Sequence, residues 1–328
     1  MAQRIVFPAP SKVELQRYDP GEIQDYEILI RTEYSLISIG TETTLLHQRY
    51  SPDSHFAQRF SFPQLKTGVL AVGKVLQCGS RVNNRKPGDR IYMRQAHGSH
   101  QRLPASSTSL VPQTVNPIDA CWCGLAKTAF RAAHAADFFK NKRTLIFGAG
   151  PLGQMITRWA HYYSCEKIVV NDLSKWRLQW AKDGGAHHSV SGNSVDSLAA
   201  INEAFDNNAP NVIIDTTGNP IVLQAALRAA GMFAEIILLG DTGYPERQRL
   251  SSDMMTKGLS IQATHDSHDR EGWNQARIDA LFFDALQSRR FNVDGLISQT
   301  FKPQEFAEAY RVADTKRHDV LGLLFDWQ

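Results

Sequence analysis

From residue 143 onward, short apolar runs that end in glycine turns alternate with helix-like segments, and this alternation limits the fold more than any other feature. TLIFGAG (144–150) is a strand running into a turn, and PLGQMITRWAHYY (151–163) follows as a helix. EKIVVND (166–172), NVIIDTTGN (211–219) and EIILLGDTG (235–243) repeat the strand, with SKWRLQWAKDGGA and IVLQAALRAA as the helices between them. Strands separated by helices need crossover connections, which predicts an α/β fold: a doubly wound parallel sheet with helices on both faces.

The flanks read differently. EILIRTEYSLISIG (27–40), GVLAVGKVLQ (68–77) and DRIYMRQ (89–95) are strand-like runs with turn signals such as NNRKPGDR between them. After LSIQATH (259–265) the alternation stops. A helix (271–290), the strand GLISQTF, the helix PQEFAEAYRVAD and a closing strand DVLGLLFDW follow. That tail is expected to rejoin the β-rich N-terminal part, so that the α/β unit is an insertion. The expected division is 1–125, completed by 265–328, around an inserted unit at 126–264.

Composition excludes several classes. With 42% hydrophobic and 21% charged residues among 328, the chain has enough apolar material to fold. The 36 Lys+Arg against 33 Asp+Glu leave +3 without a basic stripe, which argues against a nucleic-acid partner. No apolar run reaches the ~18–20 residues of a membrane span. No secretory segment is apparent and the four cysteines form no disulfide framework, so a cytoplasmic location is expected.

Gly148-Ala149-Gly150-Pro151-Leu152-Gly153 is a G-x-G-x-x-G placed between an apolar strand and a helix. Gly148 allows the sharp turn, Gly150 lets backbone amides approach a pyrophosphate, and Gly153 lets helix and strand pack closely. The phosphates of a dinucleotide then sit at the positive end of the helix dipole. Asp172, 19 residues after Gly153, ends the second strand, where a carboxylate accepts hydrogen bonds from the adenosine ribose. Its charge repels a 2′-phosphate, so NAD is expected over NADP, a preference that Lys175 and Arg177 soften. Thr216-Thr217-Gly218 and Leu239-Gly240-Asp241 end the next strands, at the edge where open parallel sheets bind ligands.

The order GTE, G-x-x-x-x-G, KPGDRI, TAF, FGAGPLG, ND, DTTGN, LLG resembles the medium-chain dehydrogenase/reductase superfamily over almost the whole chain. SLISIGTE and DGLISQTF look closest to its hydroxyethyl bacteriochlorophyllide dehydrogenase-like and zinc alcohol dehydrogenase-like branches. The resemblance implies a Rossmann domain inserted in a GroES-like domain, a cleft between them, and association as homodimers or homotetramers, here expected through the edge strand near 258–263. It also places Thr128 against the nicotinamide and Arg317, in Lys316-Arg317-His318, near the pyrophosphate.

Where family members carry zinc ligands, this sequence departs. The cysteine position before Gly40-Thr41-Glu42 reads Ile39, the His-Glu step after Gly68 reads Val69-Leu70, and the later ligand position reads Gly124. Aliphatic side chains and glycine cannot ligate zinc. No metal is therefore expected, and His97, His100, His187, His188, His265 and His268 are read as solvated or hydrogen-bonded loop histidines.

Without zinc, protein groups must move the proton and stabilise the oxyanion. By resemblance Thr41 is the hydroxyl that relays the substrate proton, with Glu42 orienting it or a histidine. His47 and His55 lie in the segment that overhangs the cleft, and His265 follows the LSIQAT strand beside the expected nicotinamide. Lys127 is read as a solvated helix residue. The sequence thus predicts an NAD-dependent, zinc-independent oxidoreductase acting on a secondary alcohol of polyol, cyclitol or sugar type. An NAD(P)H quinone or enone reductase and a non-catalytic NAD-binding sensor are the rival readings.

Overall fold

The structure is a computed structural model and describes residues 1–328. The N-terminal part holds β1 (Ala2–Phe7), β2 (Glu14–Tyr18), β3 (Glu27–Leu36), β4 (Leu65–Lys66), β5 (Ala71–Cys78), β6 (Arg90–Met93), β7 (His100–Pro104) and β8 (Thr108–Leu110). Strands β2, β1 and β4 form a small antiparallel sheet. The remainder build a larger sheet on β3, which pairs antiparallel with both β5 and β7. Gly73 is obligatory where β5 crosses β3, because a Cβ there would lie 2.4 Å from the Arg31 carbonyl oxygen.

Six strands follow: β9 (Arg143–Phe147), β10 (Lys167–Asp172), β11 (His188–Ser191), β12 (Val212–Asp215), β13 (Glu235–Leu238) and β14 (Ser260–Ala263). All pair in parallel, in the order β11-β10-β9-β12-β13-β14. This is the doubly wound dinucleotide-binding order, with the strand order reversing between β9 and β12. The apolar runs fill the centre: Leu145, Ile146, Ile168, Val170, Ile213 and Ile214 are fully buried. Strand β11, with the sequence HSVS, has no apolar run and is held by its register to β10 rather than by its own pattern.

The tail returns to the first half. Strand β15 (Ile297–Phe301) pairs parallel with β16 (Gly322–Asp326), and β16 pairs antiparallel with β3, Leu324 opposite Leu36. The helix Phe306–Thr315 packs on the helix Ile39–Leu46, and the helix Gln275–Gln287 packs on the helix Cys123–Ala135. No helix is long and apolar enough to cross a membrane, and all four cysteines are free thiols.

The strand expected over 27–40 stops at Leu36, and Ile39–Leu46 is a helix. A buried polar network explains the break. The Glu42 carboxylate accepts the backbone N–H of Ser38 at 2.7 Å, the Tyr310 hydroxyl at 2.6 Å and His97 Nε2 at 3.2 Å. Beyond His97 the chain continues to Ser35 Oγ (2.7 Å from Nδ1), which accepts the Trp327 indole N–H at 2.9 Å. The Glu42 carboxylate can only accept, so His97 donates through Nε2, and Nδ1 of the neutral ring then accepts from the Ser35 hydroxyl. Tyr310 donates to Glu42 and takes Thr67 as its other partner at 3.1 Å. All six side chains are buried, and His97 is the hydrogen-bonded member of the two kinds of loop histidine expected, with no exposure to solvent. The network ties together β3, the Ile39–Leu46 helix, the Phe306–Thr315 helix and the C-terminal Trp327.

Truncating Glu42 would strand three donors in the interior. Glu42→Ala is expected to destabilise the protein by about 3 kcal/mol or more, and Glu42→Gln, which still accepts hydrogen bonds, by clearly less. Thermal melts of the two variants check the order; equal melting temperatures would show that the network is not stabilising.

Candidate active site

A cleft of about 250 Å³ opens where the two halves meet. One wall is the first turn of the Ile39–Leu46 helix, with Gly40, Thr41 and Thr44. The other is the carboxyl edge of the parallel sheet: the glycine turn after β9, Asp172, Thr216, Thr217, Gly240 and Asp241. Ligands of open parallel sheets lie at this edge, beside the reversal in strand order.

The glycine turn has the shape its spacing predicts. Gly148 adopts φ +94°, open to glycine and costly for other residues. A Cβ on Gly153 would sit 1.9 Å from the Gly148 carbonyl oxygen, so helix and strand meet with no room for a side chain. Gly150 is extended and no side chain caps the helix Pro151–Tyr162, leaving its N-terminal N–H groups facing the cleft. Asp172 braces this turn, accepting Ala149 N–H on Oδ2 and Ser174 N–H on Oδ1, each at 2.7 Å. Arg177 is buried beside it, donates to the carbonyls of Val320 (2.8 Å) and Arg317, and keeps an Nε with no protein partner. Burial, the main cause, lowers the Arg177 pKa, and the Asp172 carboxylate partly restores it. Arg317 reaches the cleft within 3.7 Å of where a Cβ on Gly40 would stand. Helix-end amides, two guanidiniums and an acidic strand end fit a dinucleotide.

Of the residues expected at the cofactor, Gly148, Gly150, Pro151, Leu152, Gly153, Asp172, Thr216, Thr217, Gly240 and Arg317 line this one cleft. Thr128 does not. Its hydroxyl donates to the Gly124 carbonyl oxygen at 2.9 Å and approaches Asp266 at 3.4 Å, while Leu125 takes the place on the wall. Among the expected catalytic residues Thr41 lines the cleft, but Glu42 and His47 do not. Glu42 points into the core network. His47 faces away, with Nδ1 at 2.8 Å from Ser11 Oγ and Nε2 at 3.4 Å from an Asp314 carboxylate oxygen. Helical geometry is the reason, since successive residues are turned by about 100°. That rotation also brings Thr44 round to the side of Thr41, a partner that the i, i+3 spacing could have revealed.

His265 does not line the cleft either; its ring stands 5.2 Å from that of His55 and 5.8 Å from that of His268. Burial and the neighbouring His55 lower its pKa from the ordinary imidazole value. Asp241 lines the cleft, and its pKa is pushed upward by loss of solvent and drawn down by the nearby His55 and His265. Lys127 corrects the sequence reading: it is buried, with Nζ 3.0 Å from Asp266, whose other oxygen is 2.8 Å from Arg94 Nη1.

The positions where the resemblance implies zinc ligands hold Ile39, Val69, Leu70 and Gly124. A Cβ on Gly124 would meet the Tyr92 hydroxyl at 2.3 Å and Leu70 Cδ2 at 2.4 Å. Tyr92 is fully buried, and burial holds its pKa well above the ordinary phenol value. A phenol and a leucine thus pack the space beside the third ligand position, and no cluster of three or more His, Cys, Asp or Glu side chains is placed to hold a metal. This donor set does not fit zinc.

Across the mouth, the Ser51 N–H donates to the Gly243 carbonyl oxygen at 2.7 Å and the Ser51 hydroxyl to Glu246 at 3.0 Å. Gly243 is pressed so closely on the Arg49 carbonyl that a Cβ would lie 2.3 Å from its oxygen.

Residues 151–280 match the family model described as zinc-binding dehydrogenase. L-threonine 3-dehydrogenase of Symbiobacterium thermophilum is 29% identical over 136 residues, 42% of this chain and 39% of that protein. Two relatives match over nearly full length: the uncharacterized zinc-type alcohol dehydrogenase-like protein YdjJ of Escherichia coli K12 (20% identical, 97% and 96% covered) and sorbitol dehydrogenase of Ovis aries (22%, 94% and 92%). Among solved structures, an Escherichia coli CFT073 alcohol dehydrogenase complexed with NADH superposes with a TM-score of 0.85 at 19% identity. A Sinorhizobium meliloti 1021 protein put forward as a zinc-binding dehydrogenase, with NADP bound, does so at 0.84 and 16%. Each of these two structures matches over 99% of both chains. In sequence over residues 151–280 and in fold over the whole chain, this protein is similar to zinc-type alcohol dehydrogenase-like proteins.

Proposed function

We propose that the protein is an NAD-dependent, zinc-independent dehydrogenase that oxidises a secondary alcohol of polyol, cyclitol or sugar type. One observation carries this reading: a cleft built for a dinucleotide ends on the hydroxyls of Thr41 and Thr44, while Tyr92 and Leu70 crowd the neighbouring place where relatives would need a metal ligand. The full-length match to a sorbitol dehydrogenase supports the substrate class.

Bound NAD would supply the hydride acceptor. The remaining work falls to the chain. The amides at the start of the helix Pro151–Tyr162, with Arg177 and Arg317, hold the pyrophosphate, and Asp172 takes the adenosine ribose. Thr216, Thr217 and Gly240 border the nicotinamide ribose. Thr41 meets the carbinol oxygen, and the proton leaves toward the mouth, where His265, kept neutral by its lowered pKa, accepts it. Glu42 serves from behind, by fixing the turn that carries Thr41. The protein acts as a homodimer joined along β14, whose outer edge is unpaired and which lies near the exposed Phe233 and Met255.

Three measurements test this reading. Fluorescence titration is expected to show NADH binding about tenfold or more tighter than NADPH, with Asp172→Asn narrowing the gap; tighter NADPH binding would refute the role of Asp172. Metal analysis of the purified protein is expected to find less than stoichiometric zinc, with turnover surviving chelators, and one zinc per chain would overturn the metal-free mechanism. Finally, Thr41→Val is expected to lower kcat by about 10²-fold or more. In the wild type the acid limb of kcat/KM for alcohol oxidation should fall below pH 6.5, because the base with a lowered pKa stays deprotonated further into acid. His265→Gln should abolish that limb; an unchanged profile would remove His265 from the mechanism.

A further inference from the structure

Beyond Thr41 and Phe56, cationic groups from four separate elements gather on the turn His265-Asp266. Arg94, following β6, spends Nη1 on Asp266 and contacts no other carboxylate, and its remaining donors are open to solvent. Lys127, on the Cys123–Ala135 helix, shares the same Asp266 from the buried side. Arg59 and His55, on the helix His55–Arg59, stand across the mouth; His55 touches only aromatic rings, and Arg59 has no ion pair. His265 and His268 complete the group.

Three fixed cations, Arg59, Arg94 and Lys127, face two carboxylates, Asp241 and Asp266. Deeper in, the Asp279 carboxyl is pushed by burial toward its neutral form and is occupied by the Ser109 hydroxyl at 2.6 Å, so it adds little counter-charge. A cation excess that shares one carboxylate between an arginine and a lysine leaves charged donors unspent, and charge-assisted bonds to phosphate or carboxylate are the strongest use of them.

We infer that this cluster is an anion-binding subsite, and that the preferred substrate carries a phosphate or carboxylate group beyond its reacting carbinol. The guanidinium of Arg94 and the Arg59–His55 pair hold that group from opposite sides of the mouth, with Lys127 setting the potential from behind. The inference rests on the dehydrogenase reading for its reaction but not for its binding site.

Calorimetry on the NADH-loaded protein tests it with D-glucitol, D-glucitol 6-phosphate and D-gluconate. At least one anionic compound is expected to bind about tenfold or more tightly than D-glucitol, and the advantage should shrink as salt is raised. The phosphate and carboxylate arms show which group the site takes. Arg94→Met should remove most of the advantage. Arg59→Met, at an exposed position that folding tolerates, should remove part of it. Equal binding of all three compounds, or an advantage that survives both substitutions, would overturn the subsite. Failure of every alcohol to form NADH would instead overturn the dehydrogenase reading, while the binding difference would still report on the subsite.

Discussion

A carboxylate buried without a lysine or arginine beside it organises the catalytic half of the molecule. Glu42 is held by a backbone N–H, a phenol and an imidazole, and through His97 and Ser35 it reaches the indole of Trp327. A buried polar group costs free energy unless each partner is supplied, so a network of this length tolerates one arrangement and few others. Residues from both ends of the chain join it. The first turn of the Ile39–Leu46 helix, which carries Thr41, is thereby tied to the helix Phe306–Thr315 and, through His97 and Ser35, to Trp327.

The positions at which the resemblance implies zinc ligands are packed with side chains rather than open. Around Gly124 the volume is taken by Tyr92 and Leu70, both buried. The wall that carries Thr41 has the close-packed interior directly behind it, which holds it without slack. The electrostatics divide accordingly. Arginines and helix-end amides serve the phosphate end, and neutral hydroxyls occupy the middle. Imidazoles with an excess of fixed cations occupy the mouth.

The dinucleotide half could be read from sequence because its signals are local. Gly148, Gly150 and Gly153 are spaced by a turn that only glycine can make, and Asp172 ends the following strand, so neighbours in sequence remain neighbours in space. The other half could not be read this way. Glu42 follows Thr41 in the chain yet points into the core, because one step along a helix turns a side chain by about 100°. Lys127 looks like an ordinary surface lysine until Asp266, 139 residues later, folds over it. His97 gives no hint of burial, since its partners Ser35 and Glu42 come from a strand and a helix far upstream. Strand β11 escaped notice because a tetrapeptide without an apolar run is made a strand only by the neighbour it pairs with.

The backbone hydrogen bond that joins Ser51 to Gly243 has a steric consequence. It ties the loop after the Ile39–Leu46 helix to the loop after β13, and glycine at 243 leaves room for that approach. A methyl group at position 243 would collide with the Arg49 carbonyl oxygen and force the two loops apart.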